Sequence, residues 1–147
     1  MKAPRPNLPP CNDTSNNRSR FFQQLPGLTS VAKQLNVPTN FIVGLSSYES
    51  GWFDNHNFNL NNLWGLTQAG HNNISFSSVQ AGNAYFVSLV GPYIQGAQTI
   101  TDFFAGLQEE GYNSTNPNYF NTDPNKGMLS NRISNIQKWG QACGVSF

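Results

Sequence analysis

Charge is scarce in this chain. Charged residues make up 10% of its 147 positions, where a globular domain usually carries about 25%. There are 7 acidic residues against 8 Lys and Arg, and none is acidic between Asp54 and Asp102. A net charge of +1 without basic clusters argues against nucleic acid as the main partner, because phosphate binding relies on grouped Lys and Arg. Only two histidines, His56 and His71, and two cysteines, Cys11 and Cys143, are present. None has the spacing of a metal site, and nothing calls for a cofactor. No run reaches the ~20 apolar residues of a membrane span. The start, Met1-Lys2-Ala3-Pro4-Arg5-Pro6, lacks the apolar stretch of a secretory signal.

In place of charge, the surface is supplied by Asn, Gln, Ser and Thr, with aromatics at 13%. Uncharged amides and hydroxyls beside aromatic faces suit sugar binding. Asn-rich loops that merely reflect a lineage's composition are the competing explanation. The length fits one domain with a single core, and no internal repeat is visible. Residues 1–17, rich in Pro and Asn, read as an irregular arm before a domain over residues 18–147.

Hydrophobic spacing divides that domain. Ser19–Leu25 reads as a short helix stopped by Pro26-Gly27, and Thr29–Asn36 as a second one carrying Leu28, Val31, Ala32 and Leu35. Thr39 is a candidate N-cap for a third helix, which Gly51 ends. From Phe53 to Asn73, Asn and Gly predict loop. Ala81-Gly82-Asn83-Ala84 suggests a turn between strands at Ser75–Gln80 and Tyr85–Val90, with a helix as the alternative. Ile100, Phe103, Phe104 and Leu107 define a helix with Asp102 in its first turn and Gly111 at its exit. Met128 to about Gln141 forms the last, with Leu129, Ile133, Ile136 and Trp139 inward.

One carboxylate stands out. Glu49 closes an apolar helix whose other members include Phe41, Ile42, Val43, Leu45 and Tyr48. It lies at the edge of the stripe formed by Phe41, Leu45, Tyr48 and Trp52, which would turn it into a cleft rather than a core. Desolvation there raises a carboxyl pKa, and a Glu protonated near neutral pH is what a general acid requires. An exposed helix-terminal Glu that solubilises its turn is the plainer alternative.

Glu49-Ser50-Gly51-Trp52, then Asn61-Asn62-Leu63-Trp64-Gly65-Leu66, resembles the autolysin-type N-acetylglucosaminidases, peptidoglycan hydrolases of the lysozyme superfamily usually written ESGWG and NNLFGI. Gly111-Tyr112-Asn113-Ser114-Thr115-Asn116-Pro117-Asn118-Tyr119 is similar to that family's GYATDPNY, with one inserted residue and Asn116 in place of Asp. Gly65-Leu66-Thr67-Gln68 is close to the GLMQ of lytic transglycosylases. The matches run in the family's order from roughly Thr39 to Tyr119.

The resemblance implies an α+β, mainly helical, lysozyme-like fold with a small β-hairpin beside the cleft. It implies hydrolysis of β-1,4 bonds of the glycan strand with Glu49 as general acid. The alternatives are a lytic transglycosylase or muramidase, a toxin-like effector neutralised by an immunity protein, or a non-catalytic glycan-binding module. It further implies a monomer, and a secreted, periplasmic or cell-wall site of action. Oxidising surroundings then favour a Cys11–Cys143 disulfide over two separate thiols, contributing roughly 4–5 kcal/mol in the chain-entropy model.

The family often has an acidic residue in the hairpin, and this chain has none there. Asp54 is the candidate second acid, though capping or binding a loop amide is its more ordinary role. Asp102 is explained by its helix dipole, and Glu109 and Glu110 read as solvated surface with a functional role open to one of them. Without a second acid, the substrate's own 2-acetamido oxygen or muramic 6-hydroxyl can attack C1. Tyr112 is then the tyrosine expected near the developing charge, a role Tyr119 can take instead. Asn62, Trp64 and Gln68 are candidate sugar contacts, with Trp64 as plain core the rival reading.

Overall fold

A computed structural model describes residues 11, 17–68, 72–113 and 115–147. The arm expected over residues 1–17 therefore falls outside the described residues apart from Cys11 and Asn17, and so does His71. Among the described residues seven helices follow in order: α1 (Asn17–Phe22), α2 (Leu25–Leu35), α3 (Thr39–Glu49), α4 (Asn55–Asn59), α5 (Val79–Ile94), α6 (Ile100–Glu110) and α7 (Met128–Cys143).

At the centre lies α3, which packs on α2 and α7, while α5 packs on α2 and α6. Every residue from Phe41 to Ser47 is buried, so this helix is surrounded rather than amphipathic. Its buried hydroxyls are all engaged. Ser46 Oγ donates to the Leu63 carbonyl at 2.7 Å and Ser47 Oγ to the Gly44 carbonyl at 2.9 Å. Gly44 sets the closeness of α7, because a Cβ there would stand 2.5 Å from Ile133 Cγ1. Around this axis, Leu28, Ile42, Leu45, Phe86, Phe103, Leu107 and Ile136 form one continuous core.

The helix begins after Pro38, which provides no side-chain cap, so Thr39 is its first residue rather than its N-cap. It ends at Ser50, after which Gly51, Trp52 and Phe53 all take left-handed backbone, at φ 57°, 60° and 54°. Two of those three are bulky residues for which such φ values are costly. Arg20 holds the turn in place, donating from Nη2 at 2.6 Å and Nε at 3.1 Å to the Phe53 carbonyl. Its guanidinium also covers the Phe58 ring at 4.2 Å.

The expected hairpin is replaced by a helix. Residues 79–94 form α5, and among the described residues the β component is a single antiparallel bridge, Thr67 with Asn73. Ser78 caps α5 by accepting from the Ala81 amide at 3.0 Å. Asn83, Phe86, Val90 and Ile94 then return to one buried face at helical spacing. The small residues read as a turn are a point of close approach instead. A Cβ on Gly82 would lie 2.8 Å from the Asn61 carbonyl, so the helix must be bare there for the neighbouring loop to pass.

Two further expectations are corrected. Pro26 does not stop a helix but sits in the first turn of α2, where its missing N–H costs nothing. The stretch from Phe53 to Asn73 contains α4, nucleated by Asp54. Cys11 and Cys143 are joined in a disulfide, 132 positions apart in sequence with their Cα atoms 5.3 Å apart.

Candidate active site

Glu49 opens into a cleft of about 300 Å³. Gly65, Leu66 and Thr67 line one side, Leu89 of α5 another, and the segment Glu110–Asn113 closes the third. The carboxyl is mostly withdrawn from water, and this desolvation raises its pKa above the ordinary carboxylate value. Hydrogen bonds from Tyr119 and Asn113 act in the opposite direction, since they favour the charged form. The Tyr119 hydroxyl donates to Glu49 Oε2 at 2.7 Å. Tyr119 is fully buried, and burial with the adjacent Glu49 charge keeps its phenol protonated, so it acts as a permanent donor. Its ring is fixed edge-on against Tyr48 at 5.4 Å.

The loop 61–66 is built to bring Gly65 against Glu49. Asn62 organises it from a fully buried position. Its amide donates to the carbonyls of Leu66 and Ile74 at 3.0 Å each, and its oxygen accepts from the amides of Trp64 and Leu66 at 3.1 and 3.2 Å. All four hydrogen-bonding capacities of the side chain are thus used internally. Gly65 has φ 59°, and a Cβ there would meet the Glu49 carbonyl at 2.6 Å. Only glycine lets the loop lie this close to the carboxylate-bearing turn.

Among the residues singled out from sequence, Glu49 and Tyr112 line the cleft, and Tyr119 reaches it through Glu49. The Tyr112 hydroxyl donates to the Trp64 carbonyl at 2.5 Å rather than to Glu49, tying the 111–113 segment to the Asn62 loop. Trp64 is wholly buried, its ring stacked on Phe86 at 3.8 Å and its indole N–H given to Asn83 at 2.9 Å. Its place is in the core, as is that of Asn62. Gln68 is exposed and lies outside the cleft lining, which its neighbour Thr67 joins. Asp54 caps α4, accepting from the Asn57 amide at 2.9 Å and from the Asn57 side chain at 3.0 Å. It also does not line the cleft.

Two cleft residues are not singled out by the sequence: Leu89, which belongs to the helix read as a hairpin, and Asn113, which enters only as part of the Tyr112 motif. A third, Glu110, reads there as solvated surface, with a functional role open to it or to Glu109. No group of acidic, His or Cys residues suited to hold a metal occurs among the described residues.

No protein-family model and no curated protein matches this sequence. Its fold, however, is shared with solved structures along nearly their whole length. A peptidoglycan hydrolase from Sphingomonas sp. A1 superposes with a TM-score of 0.67 at 20% identity, covering 87% of this chain and 96% of that one. A chain of a type VI secretion system effector–immunity complex from Pseudomonas protegens gives 0.67 at 21% identity, covering 91% and 97%. The mainly helical architecture described above is thus shared with these structures.

Proposed function

We propose that this protein is a peptidoglycan hydrolase that cleaves β-1,4 glycosidic bonds of the glycan strand, with Glu49 as general acid. The observation that carries this reading is the Glu49 carboxyl, desolvated at the floor of an open cleft and given a hydrogen bond by Tyr119. Desolvation favours its protonated form, and the Tyr119 bond to Oε2 holds the carboxyl in one orientation. The protonated carboxyl then delivers its proton to the glycosidic oxygen as the C1–O bond breaks. The fold shared with the Sphingomonas hydrolase supports peptidoglycan as the polymer, and with it a place of action outside the cytoplasm.

The autolysin-like motifs favour cleavage at N-acetylglucosamine, with a muramidase or transglycosylase cut as the alternative. The likeness to a chain of the Pseudomonas effector–immunity complex favours a second reading of the biology, a toxin held in check by an immunity protein. The test is digestion of purified sacculi followed by mass spectrometry of the released muropeptides. Reducing GlcNAc, reducing MurNAc and anhydro-MurNAc ends identify the three cuts. Glu49→Gln is expected to abolish release while leaving the fold intact. Release within a few-fold of wild type would remove Glu49 from the mechanism.

A further inference from the structure

The chain is short of acidic residues, yet two of them face one cleft: Glu49 at the end of α3 and Glu110 at the end of α6. Glu110 is partly buried, whereas its neighbour Glu109 is exposed. Among the described residues it has neither a hydrogen bond nor an ion pair, and burial alone raises its pKa. The last turn of α6 contains no basic residue to offset it. A carboxylate at a helix C-terminus also faces the negative end of the helix dipole. No interaction seen here makes Glu110 contribute to fold stability, and it lines the cleft. Tyr112 lines the same cleft, and both carboxylates act to raise the pKa of its buried phenol.

We infer that Glu110 is the second catalytic carboxylate, the base that activates the attacking water opposite Glu49. This rests on the reading of Glu49 as general acid. In the step, Glu110 takes a proton from water while the water oxygen bonds to C1 of the sugar. The C1–O bond to the leaving sugar breaks, and Glu49 protonates the departing oxygen. Afterwards Glu110 carries one proton and Glu49 has lost one, so charge and atoms balance. A single displacement of this kind inverts the anomeric centre. Attack by the substrate's acetamido group would retain the configuration, and attack by a muramic 6-hydroxyl would leave no reducing end.

The experiment is proton NMR of the first-formed ends from a soluble glycan-strand fragment, combined with kinetics of Glu110→Gln on the same substrate. The expected result is α-anomeric product from the wild type. For Glu110→Gln we expect a fall in kcat of ~10² or more, with KM changed less than threefold and turnover partly restored by azide. This variant should melt no lower than wild type, because it removes an unpartnered charge. Should it fail to fold, the anomer formed by the wild type still decides. Product of β configuration, anhydro ends, or a Glu110→Gln effect confined to KM each overturn the assignment. So does an active Glu110→Gln beside an inactive Glu49→Gln, which leaves the glycosidase reading standing. If Glu49→Gln is itself active, the glycosidase reading falls and takes this one with it.

Discussion

Two helices of this protein end on a glutamate, and the two ends are treated differently. At the end of α3, Glu49 is gripped: Tyr119 and Asn113 bond to it, and Gly65 brings a loop against its backbone. At the end of α6, Glu110 is left without a partner on the rim of the same cleft. A group that must hand over a proton along one direction needs a fixed orientation. A group that must accept one from a mobile water needs open space in front of it. The asymmetry between the two ends matches that division of labour.

The comparison is broken most directly by Glu49→Gln, for which activity on sacculi should fall by ~10²–10⁴. Next in size is Tyr119→Phe, which loosens the grip without touching the carboxyl. Loss of a hydrogen bond to a charged group is worth about 1.5–3 kcal/mol, so turnover should fall by ~10–10². The Tyr119 bond favours the charged form of Glu49, so its removal raises the Glu49 pKa further. The protonated acid then persists to higher pH, and the basic limb of the kcat/KM profile should move upward. A limb that stays in place, or moves down, would separate Tyr119 from the acid.

Tyr112→Phe should behave in the opposite way. Its hydroxyl serves the Trp64 carbonyl, and a buried carbonyl left unpaired costs about 1–3 kcal/mol. For a domain of this size that corresponds to a loss of ~2–4 °C in Tm per kcal/mol, with kcat within a few-fold of wild type. A large kcat loss at unchanged Tm would instead give Tyr112 a direct part in the chemistry. The smallest effect belongs to Asp54→Asn. Asn caps a helix about as well as Asp, so stability should change by less than ~0.5 kcal/mol and activity hardly at all. A crippled Asp54→Asn would reinstate Asp54 as the second acid in place of Glu110.

How much of this was legible beforehand depends on what decides each feature. The helices α6 and α7 follow from local spacing, because Ile100, Phe103, Phe104 and Leu107, and likewise Leu129, Ile133, Ile136 and Trp139, each mark one buried face. In α5 the same spacing of Phe86, Val90 and Ile94 is present, but Gly82 and its small neighbours imitate a turn. Their reason is the Asn61 loop passing beside them, a tertiary fact absent from the local sequence. Glu49 could be found because its apolar flanks are consecutive with it. Glu110 could not, since helix-end carboxylates face water unless something returns to enclose them. What returns is the chain after Gly111, at φ 93°, pinned by Tyr112 to a carbonyl 48 residues away in sequence. The tyrosine assignments failed to separate for a related reason. Both residues belong to one motif, and only the folded geometry sends Tyr119 to Glu49 and Tyr112 to Trp64.

The bond between Cys11 and Cys143 makes almost the whole chain a covalent ring. A ring cannot pass single file through a pore one strand wide; it enters only as a doubled loop. Any route that threads the protein unfolded across a membrane must therefore carry it with both thiols reduced, and the ring can close only on the far side. A route that carries it folded has no such requirement, and the ring can travel closed. The redox state of these two sulfurs during any such crossing would thus tell the two routes apart.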